Sequence, residues 1–130
     1  MASRSIDDLS PACRDCAGLF LSRSLQAGFD LLVTCTYRSP EDQAILYAQG
    51  RSAPGRIVTW ARPWDSRHQY REALDVVPMV DGKPLWSTKG NDLKIWQAVG
   101  ALGEGAGLEW AGRWPASKRE FAHFQMKAKK

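Results

Sequence analysis

The chain has 130 residues, 44% of them hydrophobic and 25% charged, with a formal net charge of +4. This length supports one hydrophobic core and excludes two full-sized domains, and no apolar run approaches the ~20 residues a membrane-spanning helix needs. The modest basic balance favours polyanionic partners in general, but without a long Lys/Arg run or an Arg-rich helix it argues against nucleic acid.

The first residues, MASRSIDDLSPACRD, carry acids and no apolar core segment, so they predict no secretory signal and synthesis in the cytoplasm. A first helix is expected over 10–28, with Ser10 as N-cap, Pro11 in the first position and Gly28 closing it. Cys13 and Cys16 form a C-x-x-C pair on this helix, and Cys35 is the third cysteine. An odd number without an export signal speaks against a disulfide framework. A structural zinc site would need a second pair or nearby histidines, and the first 67 residues hold none. Cys13 and Cys16 therefore read as small helix residues.

LLVTCTYR, 31–38, reads as a strand, β-branched and aromatic in content. Alternation places Leu31, Val33, Cys35 and Tyr37 on one face and Leu32, Thr34, Thr36 and Arg38 on the other. SPEDQAILYAQG, 39–50, is the clearest helix: Ser39 caps it, Pro40 starts it, Glu41 and Asp42 sit in its positive first turn, and Gly50 ends it. Residues 51–67 hold two prolines and four arginines and read as a long irregular loop, a kind of segment that often carries function. A second strand is expected over 73–78, with Ala73, Asp75 and Val77 on one face. DGKP at 81–84 is turn chemistry, with a returning strand from Leu85-Trp86. Leu93, Trp96, Val99 and Leu102 predict a helix over 91–103, despite Gly100 and Gly103. A last strand is expected over 121–126, with Phe121, His123 and Gln125 on one face and Ala122, Phe124 and Met126 on the other.

Asp75 is the anomaly. It sits in the apolar run LDVVP, where an ionised carboxylate is costly unless paired, hydrogen-bonded or metal-bound. The chain's only two histidines, His68 and His123, fall beside or within strands. Two imidazoles and a carboxylate make the three-ligand set of a catalytic zinc with an open fourth position. On residue type and spacing alone, two hydrogen-bonded histidines and a salt-bridged aspartate are the commoner reading.

Ser66-x-His68-x6-Asp75, followed by Glu120-x-x-His123-Phe124-Gln125, resembles the zinc peptidases that cut peptidoglycan stem peptides. These include D-alanyl-D-alanine carboxypeptidases and the L-alanyl-D-glutamate endopeptidases of phage lysis. TYRSPEDQAILYAQGR, 36–51, and PGRIVTWA, 54–61, fit the same family, so the resemblance spans about residues 30–126. It implies a small single α+β domain over 1–130, an antiparallel sheet with flanking helices of the Hedgehog/D-Ala-D-Ala-peptidase type. It implies one zinc per chain on His68, Asp75 and His123, with Glu120 as catalytic acid/base and Arg38 as the cationic side chain beside the cleft. Ser66 and Gln43 fall on motif positions and are candidate substrate contacts.

The most specific expectation is an L-alanyl-D-glutamate endopeptidase acting as a monomeric phage endolysin on peptidoglycan. It would be made in the host cytoplasm, without membrane insertion, and would reach the wall after another protein permeabilises the membrane. The competing expectations are a D-alanyl-D-alanine carboxypeptidase or dipeptidase, and a non-catalytic, zinc-stabilised wall-binding or virion module. Strict alternation puts Glu120 opposite His123, so Glu120 is expected in the preceding loop or at a bulge. Trp110 and Trp114 are candidates to line the cleft. The family commonly has glycine where this chain has Arg71, and an arginine there is expected to take an ordinary backbone conformation with its side chain directed outward.

Overall fold

Helix α1, Pro11–Gln26, starts at Ser10-Pro11 as its sequence predicts. Cys13, Ala17, Phe20 and Ser24 recur at helical spacing and form its buried face. Gly28 takes φ +93°, which turns the chain into strand β1, Asp30–Cys35. Helix α2, Pro40–Ala48, is capped by Ser39, whose Oγ accepts from the Asp42 amide at 3.0 Å. No helix or strand follows until a 3-10 turn at Arg67–Tyr70, which leads into β2, Ala73–Val80. A tight turn at Asp81-Gly82, both with positive φ, returns the chain as β3, Lys83–Pro84. Then come α3, Asn91–Gly105, β4, Leu108–Trp110, and β5, His123–Met126. This computed structural model describes residues 2–128, so Lys129 and Lys130 of the basic tail lie outside the described residues.

The sheet is antiparallel in the order β1-β2-β5-β4, with β3 paired to β2. Two neighbouring rungs divide its labour. Leu74, Phe124 and Trp110 pair across β2, β5 and β4 and enter the core, where Phe20 of α1 meets Phe124 at 4.6 Å between ring centroids. In the next rung, Cys35, Asp75 and His123 pair across β1, β2 and β5. Cross-strand partners point to the same side, so this rung faces away from the core. Helices α1 and α3 pack on the core side.

Several expectations change, and the last strand begins at His123 rather than at Phe121. The strand predicted over 31–38 stops at Cys35, and a bulge between Val33 and Cys35 breaks its alternation. Val33 pairs with Val76 beside the core, whereas Cys35 pairs with Asp75, so the bulge moves Cys35 onto the other face. The returning strand forms at Lys83–Pro84 rather than from Leu85, although the Leu85 amide still bonds Pro78 O at 2.8 Å. Strand β4 has no counterpart in the sequence reading. It is three residues long, too short for its alternation to register.

The α3 glycines that weaken its helical pattern have a packing reason. A Cβ on Gly100 would lie 2.3 Å from the Trp110 ring, and one on Gly103 would lie 2.4 Å from the Phe124 ring. Close approach of α3 to the sheet therefore needs bare backbone. Gly103→Ala should destabilise the protein by about 1–3 kcal/mol through overpacking, despite alanine's better helix propensity. Gly18→Ala, in α1 with nothing near its would-be Cβ, should instead stabilise by about 0.5–1 kcal/mol. Urea denaturation of both variants checks the pair.

Candidate metal centre and active-site cleft

Asp75 Oδ1 lies 3.2 Å from His68 Nε2 and 3.0 Å from His123 Nδ1. His68 comes from the 3-10 turn, which Ser66 caps by accepting the His68 amide at 3.3 Å. His123 comes from β5, directly across from Asp75. The structure thus brings together the three residues that the resemblance implies as ligands.

The outer nitrogens decide what the inner ones can do. His68 Nδ1 lies 2.7 Å from the Thr36 carbonyl, which can only accept, so Nδ1 carries a proton. His123 Nε2 is 2.9 Å from Gln125 Oε1 and donates to it in the same way. In the neutral imidazoles the nitrogens facing Asp75 are then lone pairs aimed at a carboxylate oxygen. That arrangement repels unless a proton or a cation lies between. Two oriented imidazoles and a carboxylate suit zinc, with a fourth position left open. The donor set fits.

Electrostatics point the same way. Burial opposes a charge on His68, but hydrogen bonds to Asp75 and Cys35 outweigh it and lift the imidazole to about 10. Burial would also raise the Asp75 carboxyl, yet hydrogen bonds from His123 and His68 hold it well below the usual carboxylate range. The metal-free pair is therefore imidazolium and carboxylate at neutral pH. A metal would replace the proton.

Cys35 belongs to these surroundings, which sequence reasoning missed because it depends on the β1 bulge. Its thiol offers a donor within 4.8 Å of donors on His68 and Asp75. Sγ lies 3.6 Å from His68 Nδ1, the nitrogen turned away from Asp75, and accepts from Arg38 Nη2 at 3.4 Å. Arg38 leaves the sheet just after β1, with Nη2 4.0 Å from Asp75 Oδ2 and Nη1 donating to Gln43 Oε1 at 2.9 Å.

Gln43, expected to touch substrate, is fully buried. Its Oε1 takes Arg38, and its Nε2 donates to Ala61 O at 2.8 Å. Gln43 ties Arg38 to the long loop, and no part of it reaches the cleft. The loop is further held by Arg51, whose guanidinium lies 3.8 Å from the centre of the Tyr47 ring and donates to Tyr47 O and Thr59 O.

The cleft over the centre has a volume of about 350 Å³ and is lined by Arg38, Ser66, Trp114, Glu120 and Gln125 besides His68, Asp75 and His123. Glu120 sits in the loop before β5, exposed, its amide bonded to Ala111 O at 3.3 Å. Trp114 lies with its ring centroid 5.6 Å from that of His123. Trp110 belongs to the core and is only 2% exposed, its indole N–H donating to Phe121 O. Asp65 and Gln125 also line the cleft. Gln125 shares a strand face with His123 and closes the motif Glu120-x-x-His123-Phe124-Gln125 that carries the resemblance.

Arg71 overturns its expectation. It takes φ 62° and ψ 29°, the left-handed conformation a glycine would hold freely. An L-residue there costs about 1–2 kcal/mol. Two contacts offset the strain: Arg71 Nη1 donates to Asp8 O at 2.9 Å, and its guanidinium lies 4.0 Å from the centre of the Tyr37 ring.

A family model described as D-alanyl-D-alanine carboxypeptidase matches residues 59–126. The chain is 32% identical over 124 residues to the peptidoglycan L-alanyl-D-glutamate endopeptidase CwlK of Bacillus subtilis (strain 168), covering 92% of this chain and 74% of that protein. Among solved structures, the L-Ala D-Glu endopeptidase ChiX of Serratia marcescens superposes with a TM-score of 0.69 at 24% identity, covering 98% of this chain and 89% of that one. The LD-carboxypeptidase LdcB superposes with a TM-score of 0.72 at 21% identity, covering 94% of this chain and 60% of that one. These two likenesses establish the antiparallel α+β fold. With the family model spanning more than half its length and a relative about a third identical along most of it, the chain belongs to the D-alanyl-D-alanine carboxypeptidase family of metallopeptidases.

Proposed function

We propose that the protein is a zinc-dependent L-alanyl-D-glutamate endopeptidase, the activity for which CwlK is named. The observation that carries this reading is the form of the cleft. Beyond Glu120 and Trp114 it continues into a second cavity of about 520 Å³, with Val58, Thr59, Ala61 and Asp65 lining both. An endopeptidase needs a groove in which chain continues on either side of the cut bond. A carboxypeptidase needs a closed end that holds a terminal carboxylate. The description of the matched family model favours the second activity, and the continuation of the cleft into a second cavity favours the first.

In this reading His68, Asp75 and His123 hold zinc, which when bound supplies Lewis acidity for the scissile carbonyl and for an attacking water. Glu120 accepts the proton of that water and passes it to the departing amine. Arg38, fixed by Gln43, places positive charge beside the centre to stabilise developing negative charge on the carbonyl oxygen. Ser66 shapes the turn that presents His68. The lytic setting is part of the proposal: expressed alone in a Gram-negative host, the chain should leave cells intact, and adding a membrane-permeabilising protein should lyse them. Culture turbidity reads both.

Elemental analysis should find about one zinc per chain, and His68→Ala, Asp75→Ala and His123→Ala should each abolish tight uptake. Protein that neither carries zinc nor takes it up on titration would overturn the metal assignment.

Zinc uptake near pH 7 should release about one proton from His68, because its imidazole, lifted to about 10, starts protonated. Calorimetry in buffers of differing ionisation enthalpy measures that proton. The sign for metal-free stability follows. Asp75, with its lowered carboxyl, adds stability above about pH 4 that is lost as pH falls through its folded value. His68 adds stability that is full below about pH 6.5 and is lost as pH rises towards 10. Thermal melts of chelated protein should show loss at both ends.

Glu120→Gln should keep zinc and fold yet lose about 10²-fold or more in turnover, and Arg38→Ala should lose less. Mass spectrometry of muropeptide digests reads the bond itself. New N-terminal D-glutamate supports the endopeptidase, whereas free D-alanine from a pentapeptide, without new glutamate N-termini, assigns the carboxypeptidase activity.

A further inference from the structure

Besides Ser117, the second cavity adds residues of two kinds to those it shares with the catalytic cleft. Ile57 and Trp60 give an apolar wall, and Trp60 is 65% exposed. Lys118 and Arg119 give a cationic one. Among the described residues Lys118 forms no ion pair, and Arg119 commits only Nε, to the Trp114 carbonyl at 3.2 Å. Lys118 and Arg119 thus have no carboxylate within ion-pair distance among the described residues, although Asp65 and Glu120 line the same cavity nearer the reaction centre. The complement of the two cations is an anion carried on a partly apolar chain.

Resting on the endopeptidase reading, we infer that Lys118 and Arg119 form a subsite for a free carboxylate of the stem peptide on the leaving-group side of the cut bond. Charge gives the direction. On the amino side of L-alanine the substrate continues as an uncharged amide to the sugar, whereas beyond the bond the stem peptide bears free carboxylates. Glu120 agrees with that polarity. It lines both cavities, and the group that protonates the departing amine must stand where that amine leaves. The leaving peptide thus runs past Glu120 between Trp60 and the Lys118-Arg119 wall. Trp114, shared by both cavities, forms the step between them.

The experiment pairs a change in the enzyme with a change in the substrate. Two soluble muropeptides are compared, one with the stem-peptide carboxylates beyond the cut bond free and one with them converted to carboxamides. Each is tested with wild-type protein and with the double variant Lys118→Ala/Arg119→Ala, after zinc content and circular dichroism show the variant folded. Wild type should lose about tenfold in kcat/KM on amidation, mainly through KM, and the loss should shrink in high salt. The variant should show that loss already on the free-carboxylate substrate and almost none on further amidation. A wild type indifferent to amidation overturns the subsite, as do losses from variant and amidation that simply multiply. The bond cut by wild type is read separately by mass spectrometry. If it is another stem-peptide bond, the endopeptidase reading falls, while the same substrate pair still decides whether these two cations bind a carboxylate.

Discussion

One carboxylate oxygen governs this structure. Asp75 Oδ1 is the meeting point of two imidazoles from segments far apart in sequence, so the half-buried Asp75 finds both partners only where β1, β2 and β5 are in register. A slip of β5 by one residue would turn His123 into the core and Phe124 out of it. The apolar rung Leu74–Phe124–Trp110 and the polar rung Cys35–Asp75–His123 thus enforce each other. Bare glycines on α3 let the helix press onto the apolar rung, and the precision of the polar one follows.

Around that oxygen the protein spends its hydrogen bonds on orientation. Thr36 O and Gln125 Oε1 fix which nitrogen of each imidazole faces inward, and Gln43 fixes Arg38 and the loop that roofs the cleft. A buried amide with both ends satisfied is a rigid joint. A loop without helix or strand becomes a defined wall because Gln43 and Arg51 bond its carbonyls directly. The group that must move protons stands where such bracing ends: the Glu120 side chain is exposed.

The cluster of His68, Asp75 and His123 was legible because its chemistry is improbable in sequence. A carboxylate inside an apolar strand demands a partner, and a chain with two histidines offers few. Helices α1 and α2 were legible because serine-proline starts and glycine ends are local signals. What escaped depends on contacts between distant residues. The bulge that swings Cys35 beside Asp75 exists only in the pairing of β1 with β2. Gln43 matched a motif position, but its burial follows from how α2 settles against the loop. The family likeness alone could not separate a residue that touches substrate from one that holds a neighbour in place.

Arg71 holds a left-handed turn that glycine would hold unaided, and it does so only while Asp8 and Tyr37 receive its guanidinium. The Arg71 carbonyl in turn accepts the Ser10 amide, while Ser3 O accepts the Thr36 amide and Ser3 N donates to Tyr37 O. The segment ahead of α1 is therefore a splint for the turn that carries His68 and for the carbonyl that orients its ring. A bulky partner fused ahead of Ser3, or a proteolytic nick near Ile6, would disturb metal binding without altering a single residue of the cleft.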